Sequence, residues 1–562
     1  MKILTAEEMG GADRRSVEAG VPVGTLMQHA GEAVARFCLR RFWGDGLVVV
    51  LAGKGNNGGD GMVAALRLAE AGRQVRVVLL GKASELKGEA ARAWESITHL
   101  SDDEAVAKMG HPANVAERGH PISVEVREIE DEAGLRETLE GAALVIDAVV
   151  GTGFKPPLRG LAATAQKMLA ESDVPVVAVD LPSGWDADSM EEKAEGAFRA
   201  DAVVTFTAPK LAHVFGHLTA ATFGPVVVAE IGTPAGAIES ASGLTWGGSS
   251  KVIAEAARAI NGNKGRLGHV LLVGGAFGKA GAPSMASLAA LRAGAGLVTA
   301  AVPREILPIV AAVAPELMLT PLATEGSGGL EMEALDEASL ATLLKGISVV
   351  GIGPGLGQEG STPEWVRTFV QRVTLPMVID ADALNALAGR MSLLKNAVDA
   401  AGRPRTIVLT PHPGEMARLA EMSVKEVEAD RVGLARRFAA ENGVTLVLKG
   451  WRTLVAHPDG RVAVNTTGNP SMAKGGSGDI LTGIVSAMLA QYPDNVAAAV
   501  EAAVFLHGLA GDFACLAQDE HTVLATDTVG HLWEAFRARV KDSDGLTWIA
   551  GTAANGIEVA GR

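Results

Sequence analysis

The chain has 562 residues, more than one hydrophobic core usually supports, so two or more domains are expected. Hydrophobic residues make up 48% of it, Gly fills 68 positions, and the formal net charge is −15. That balance excludes a disordered chain, and with no basic run to offset it argues for a small-molecule partner, with no nucleic acid and no membrane surface bound.

In chain order, a helix with Leu26, Met27 and Ala30 at apolar positions is predicted to end near Arg40-Arg41. The continuous apolar run 47–52 predicts a doubly buried parallel strand, with 53–61 as its loop and a helix from Met62 onward. Further strands are predicted near 75–80, 143–149, 176–179, 202–206 and 226–230, which together make a doubly wound α/β sheet. The Gly-, Ser- and Ala-rich stretch 235–250 marks a linker, bounded at 241–254. Beyond it, strands are predicted near 268–275, 348–351, 377–379, 406–409 and 445–448. No repeat relates the halves, so two different α/β domains are expected, 1–240 and 255–545, followed by a C-terminal tail, 546–562. Cys38 and Cys515 lack CxxC spacing and read as thiols of a reducing compartment. The first residues lack the apolar core of a signal peptide, and no uninterrupted apolar stretch approaches the ~20 residues of a membrane span, so a cytoplasmic location is expected.

The loop Gly53-Lys54-Gly55-Asn56-Asn57-Gly58-Gly59-Asp60-Gly61 follows a strand and opens a helix, where free backbone N–H groups and the helix dipole favour an anion. It contains G-x-G-x-x-G. Yet Leu79-Leu80-Gly81-Lys82 offers no acid to hold a ribose hydroxyl, which argues against a dehydrogenase, and the Gly-Lys-Ser/Thr ending of a P-loop NTPase is missing. A purely structural turn accounts for the glycines but not for Asn56, Asn57 and Asp60. Oxygen-bearing strand ends recur at Asp147 and at Asp180 to Ser183, and three such ends can converge on one crevice of an open α/β sheet, where oxygens suit a hard cation.

Taken with the segment from Asp147 to Phe154, with Asp180-Leu181-Pro182-Ser183-Gly184 and with Thr207-Ala208-Pro209-Lys210, this loop resembles the NAD(P)H-hydrate epimerase family across nearly all of residues 1–235. The resemblance implies a Rossmann-like fold and potassium (K+) held by Asn57, Asp147 and Ser183. It also implies a hydrated nicotinamide dinucleotide contacted by Asn56, Asn57, Gly58, Gly59, Asp60, Gly151, Thr152, Gly153, Phe154, Lys155, Pro156, Pro157 and Asp180. Proton transfer between the epimers is assigned to Asp180, with Lys210 as partner; a carboxylate near a cation suits a base or a ligand better than an acid. Gln28-His29 departs from the Glu-Asn of the family, and His29 reads as a helix-surface residue.

Downstream, Gly475-Gly476-Ser477-Gly478-Asp479 stands directly before an apolar helix. Successive glycines let backbone N–H groups turn toward a phosphoryl group, and the Asp can accept the proton of an attacking hydroxyl. Helix capping by Ser477 or Asp479 is the structural alternative, but it leaves the glycine cluster without a reason. Leu448 to Thr453 turns sharply after a strand, His412 sits between two prolines, and Asp380-Ala381-Asp382 adds carboxylates of which one can cap a helix. Lys474 reads either as charge near the phosphates or as a solvated side chain. With Asn263-Lys264-Gly265, 290–296 and 353–357, these segments resemble the ribokinase-like superfamily and, within it, the ADP- or ATP-dependent NAD(P)H-hydrate dehydratases. The resemblance implies hydrate contacts from Ala282, Gly355, His412 and Asp479. Nucleotide contacts would come from Lys449, Gly450, Trp451, Arg452, Thr453 and Gly478, with Mg2+ accompanying the ADP or ATP.

Both resemblances together imply a bifunctional isomerase and lyase that epimerises hydrated NADH and NADPH. It would dehydrate the S form, phosphorylating its hydroxyl from ADP with Asp479 as base and then eliminating phosphate. Two other readings stand beside it: a ribokinase-like kinase for a small alcohol such as a vitamin precursor, and a first domain that binds a ligand without catalysis. The sequence leaves open ADP against ATP, the NADH or NADPH hydrate, and assembly as a homo-oligomer.

Overall fold

The computed structural model describes residues 1–42, 44–101 and 124–552. It divides into two compact units, Lys2–Ser242 with the chain from Val540 onward, and Gly243–Arg539 with Met1.

In the first unit the strands are β1 (Leu47–Ala52), β2 (Val75–Leu80), β3 (Val124–Ile129), β4 (Ala142–Ala148), β5 (Val176–Val179), β6 (Ala202–Phe206) and β7 (Val226–Ala229). Apolar, largely β-branched runs form them because both faces of the sheet are covered. Val48, Val50 and Ala52 pack on one side with Val34, Phe37 and Leu68, while Val49 and Leu51 pack on the other with Leu135 and Leu169. The strands lie in the order β7-β6-β5-β4-β1-β2-β3 and all run parallel. Direction of crossover reverses between β1 and β4, which opens a crevice at their C-terminal ends.

In the second unit the strands are β8 (Leu244–Trp246), β9 (His269–Val273), β10 (Leu297–Pro303), β11 (Met318–Leu322), β12 (Val349–Ile352), β13 (Met377–Ile379), β14 (Ile407–Leu409), β15 (Thr445–Leu448), β16 (Leu454–Ala456) and β17 (Val462–Val464). Their order is β11-β10-β9-β12-β13-β14-β15-β16-β17-β8. From β11 to β15 all pairs are parallel, with the reversal between β9 and β12; β16 then folds back antiparallel. The helix Val496–Ala517 is long and apolar enough to cross a membrane by length and composition, but 89% of its apolar window is buried inside the unit, with Glu501, His507 and Asp512 along it.

Two boundaries differ from expectation. The stretch read as linker, 241–254, holds β8 and the 3-10 helix Gly247–Ala254. Trp246 anchors it: the ring is fully buried, meets Phe505 edge to face at 5.7 Å between centroids, and donates through Nε1 to Thr466 Oγ1 at 2.8 Å. The segment read as a tail begins with β18 (Leu546–Ala550), which pairs antiparallel with β7 and so returns to the first unit's sheet. Burial of Leu546 and Trp548 in that unit's core, and coverage of the edge of β7, give the physical reason. The rest of the expected tail, 553–562, lies outside the described residues.

Candidate active sites

At the crevice of the first unit a cavity of about 1400 Å3 is lined by Asn56, Asn57, Asp60, Gly151, Thr152, Gly153, Phe154, Asp180 and Lys210. These residues meet because each follows the C-terminal end of β1, β4, β5 or β6. Asp180, directly after β5, is held in the left-handed backbone region at φ 68°, a conformation a non-Gly residue adopts only where its surroundings enforce it. Its Oδ1 accepts from Lys210 Nζ at 2.7 Å and Thr205 Oγ1 at 2.8 Å; its Oδ2 accepts from Thr152 N at 2.9 Å and from the Thr152 hydroxyl. Burial alone would raise this carboxyl, but the charge of Lys210 and these hydrogen bonds outweigh it and hold Asp180 well below the usual carboxylate range.

Asp60 stands opposite in character. Burial, reinforced by the charges of Asp180 and Asp13, pushes its carboxyl well above the ordinary range, so it keeps its proton where Asp180 has lost its own. His213 accepts the Lys210 N–H on Nδ1 at 3.0 Å and donates from Nε2 to the Asp180 carbonyl at 2.7 Å. Burial and the Lys210 charge lower it to about 4, so the ring is a neutral brace. At Gly151 an added Cβ would sit 3.0 Å from Asn57 Oδ1 and 3.1 Å from Asp180 Oδ2, so the missing side chain leaves the space between these two groups open.

Behind this wall Asp147 is fully buried and accepts from Ser183 N at 2.7 Å and Ser183 Oγ at 2.6 Å. Burial raises it to about 6, and only hydrogen bonds from residues 149 and 183, with no cationic side chain, oppose that rise. Asn57 Nδ2 is buried without a hydrogen-bond partner. Asp147 and the Ser183 hydroxyl thus offer hard oxygen donors with no cationic side chain beside them, a chemistry that fits potassium.

Other expected contacts lie elsewhere. Gly58 and Gly59 are buried where their helix passes Gly53, Met27 and Ala90, and they do not line the cavity. Lys155 is turned away, bound to Asp186 at 2.7 Å and Asp188 at 3.0 Å, and Pro156 and Pro157 follow it off the cavity wall across a cis peptide bond. His29 is on the helix surface, as read, with Nδ1 donating to the Ile231 carbonyl at 2.7 Å. Sequence reasoning missed Asp13 and Arg14, which the helix Ala6–Glu18 brings to the cavity, and missed Thr205 and His213.

In the second unit the glycine loop leads through Gly476, at φ 100°, into the helix Ser477–Gln491. Asp479 lies in its first turn; burial and the charge of Asp380, opposed by Lys449 and aided by Asp382 and Glu415, push it up to about 7. Lys449 Nζ reaches Asp380 Oδ1 at 3.0 Å and Glu415 Oε2 at 3.8 Å. His412 caps the helix Pro413–Leu419, its Nδ1 accepting from Gly414 N at 3.0 Å, so the proton of the neutral ring is on Nε2. Burial, with Lys449 and Arg418, keeps that ring below its ordinary value. Gly355 packs against Ala282, whose Cβ would be 3.0 Å from an added Gly355 Cβ, which joins two of the expected hydrate contacts.

The turn 449–453 is held by Arg431, which donates to the carbonyls of Leu448, Lys449 and Trp451, while the Arg452 guanidinium stacks 4.2 Å over the half-exposed Trp451 ring. Thr453 Oγ1 closes the turn on the Gly450 carbonyl at 3.2 Å. Lys474 donates to the carbonyls of His521 and Val523 at 2.8 and 2.5 Å. Asp380 was singled out in the sequence only as a carboxylate after a strand, and the parts played by Glu415 and Arg431 were missed. Among the described residues no group of three or more His, Cys, Asp or Glu side chains forms a metal site.

Residues 23–212 match the family model described as YjeF-related protein N-terminus, and 270–533 match that described as NAD(P)H-hydrate dehydratase. The chain is 39% identical over 547 residues to a bifunctional NAD(P)H-hydrate repair enzyme Nnr of Moorella thermoacetica, covering 95% of this chain and 96% of that one. It is 37% identical to the enzyme of the same name from Pyrobaculum aerophilum, covering 96% and 98%. Among solved structures it is similar to an ADP/ATP-dependent NAD(P)H-hydrate dehydratase from Bacillus subtilis co-crystallized with ATP/Mg2+, at 28% identity and a TM-score of 0.42 over 51% of this chain and 96% of that one.

Proposed function

The chain belongs to the family of bifunctional NAD(P)H-hydrate repair enzymes, and from that premise we propose how its two units divide the repair. The first unit interconverts the epimers of hydrated NADH or NADPH; the second dehydrates the S epimer, with ADP, or ATP, as phosphoryl donor. One observation carries the reading: in each unit a carboxylate and a lysine meet at the C-terminal ends of the strands, Asp180 with Lys210 at 2.7 Å in the first, and Asp380 with Lys449 at 3.0 Å beside Asp479 in the second.

In the reduced nicotinamide the ring nitrogen makes the hydrated double bond an enamine, so the added hydroxyl is on the carbon next to nitrogen. In the first unit the proton of Asp60 passes to that hydroxyl, the C–O bond breaks with its electrons going to oxygen, and the nitrogen lone pair fills the gap. Asp180, ionised, stabilises the resulting iminium. Water adds to the opposite face and returns its proton to Asp60. Lys210 keeps Asp180 ionised and in place. Potassium, held by Asn57, Asp147 and Ser183, would neutralise the buried carboxylate behind this wall.

In the second unit Asp479 takes the proton of the hydroxyl as its oxygen attacks the phosphoryl group. Backbone N–H groups of the glycine loop and of the helix start it enters would stabilise the charge that develops. Loss of phosphate then gives the same iminium, which sheds a ring C–H proton to restore NADH. Mg2+ accompanies the nucleotide phosphates, since such ions are commonly held by substrate phosphates and one or two carboxylates. The test is recovery of reduced-nicotinamide absorbance from mixed epimers with each nucleotide in turn. Both epimers should be consumed; a stable phosphorylated product without recovery, or consumption that stops at half, would sink the reading.

A further inference from the structure

Lys449 was expected to touch the nucleotide, and its surroundings give it another task. Its Nζ lies 3.0 Å from Asp380 Oδ1 and 3.8 Å from Glu415 Oε2, and Glu415 Oε2 also accepts from His412 N at 2.8 Å. The ammonium group is 3.2 Å from where a Cβ on Gly478 would sit, and Asp380 Oδ2 is 3.6 Å from the same point. Both charges therefore lie directly against the backbone of the phosphate loop. Asp380 Oδ2 is fixed in turn by Thr482 Oγ1 at 2.8 Å, one turn into the helix that carries Asp479, and that hydroxyl also reaches the Gly478 carbonyl at 3.2 Å. Asp380 ends β13 and Lys449 ends β15, and the next residue, Ala381, is held at φ 49°, a strained value for a side-chain-bearing residue. Two strand ends thus clamp one helix start through a single ion pair.

We propose that Asp380 and Lys449 are positioning residues: together they clamp the phosphate loop and Asp479 in register for phosphoryl transfer. This deepens the dehydratase reading above and rests on it. The groups facing Asp479 are Asp380, Lys449, Asp382 and Glu415. Asp382 is itself bound by Gly357 N at 2.8 Å and faces Lys279 at 3.9 Å, and His507, lowered to about 4 by burial, is neutral and adds no charge.

The experiment uses the full chain as D380N, K449M and the double variant D380N/K449M, with first-unit epimerisation as an internal check of folding. Dehydration is followed against pH, and ADP affinity by calorimetry. The proposal expects each single variant to lose about tenfold or more in kcat while ADP Kd stays within twofold. The acid limb of kcat/KM should move in opposite directions, down in D380N, which removes a like charge beside Asp479, and up in K449M, which removes an opposite one; the double variant should return toward the parent. A tenfold weaker ADP Kd in K449M with an unmoved limb would make Lys449 a nucleotide ligand and overturn the proposal. A parent chain that never restores reduced nicotinamide would instead sink the dehydratase reading itself.

Discussion

Lys210 Nζ lies 2.7 Å from Asp180 Oδ1 with the two side chains only 2% and 10% exposed, at the wall of the first unit's cavity. An ion pair so buried is weak evidence for stability, because desolvation offsets most of the attraction, but removing one partner strands the other. Lys210→Met should therefore act on both function and fold. Epimerisation is expected to fall by about 10²-fold or more, the usual scale for losing electrostatic support at a reacting centre, because Asp180 loses the charge that keeps it ionised, while dehydration of the S epimer by the second unit is retained. The sign of the pH effect follows from Asp180, whose folded-state value is depressed. Its stabilising contribution is present above the unfolded value of about 3.9 and is lost as pH falls through the lower folded value. The variant should lose that contribution, so its melting temperature should approach the parent's only in acid; equal melting at pH 7 would show that the pair adds nothing.

Potassium makes a second expectation. Anything that binds only the folded state stabilises by RT ln(1 + [L]/Kd), about 2.7 kcal/mol at one hundred times Kd. Thermal unfolding in KCl against choline chloride at equal ionic strength should show a K+-dependent rise in the parent chain, absent in Asp147→Asn. The same rise in both proteins would place the ion elsewhere.

Most residues that were legible in the sequence share one property: they follow the C-terminal ends of continuous apolar strands, where a polar residue has no packing reason to be. Asn56, Asp147 and Asp180 announced themselves that way, whereas Asp479 was legible from the glycine cluster that precedes its helix. Asp13 did not, since on the helix Ala6–Glu18 one acid among several reads as a solvated face, and only the fold turns it toward the cavity. Glu415 hid as the second half of a capping box with His412. Strand β3, Val-Glu-Val-Arg-Glu-Ile, carries charged residues because it is an edge and so shows no continuous apolar run, and β16, β17 and β8, three residues each, lie outside the parallel run of strands and are set by their partners across the sheet. Strand β18 finds its partner more than 300 positions upstream, where Thr547 pairs with Val228, and no local pattern carries such a pairing.

Gly151 offers a test of cavity shape that leaves charge alone. A methyl group there would stand 3.0 Å from Asn57 Oδ1 and 3.1 Å from Asp180 Oδ2, closer than ordinary contacts allow. Gly151→Ala should lower epimerase kcat/KM by about tenfold or more, the usual result of displacing a reacting group by a fraction of an ångström. Melting temperature should move little, because the methyl group projects into the cavity and not into the core. Unchanged kinetics would mean that the substrate does not enter between these two groups.

For the second unit the protonation of Asp479 ties rate to stability through one group. Raised to about 7, it should give dehydration an acid limb, with kcat/KM rising through pH 7 and level above it, and Asp479→Asn should remove the activity while epimerisation continues. The same raised value costs stability. An acid whose folded value exceeds its unfolded value of about 3.9 binds its proton more tightly when folded, so the cost is absent below pH 4 and complete above pH 7. Because the carboxyl is partly exposed, solvent screening reduces the cost to on the order of 2 kcal/mol. Asp479→Asn should accordingly melt several degrees higher than the parent at pH 8 and at the same temperature at pH 4. An inactive variant that is no more stable at pH 8 would mean that Asp479 is not strained toward its protonated form, and the acid limb would then have to come from another group.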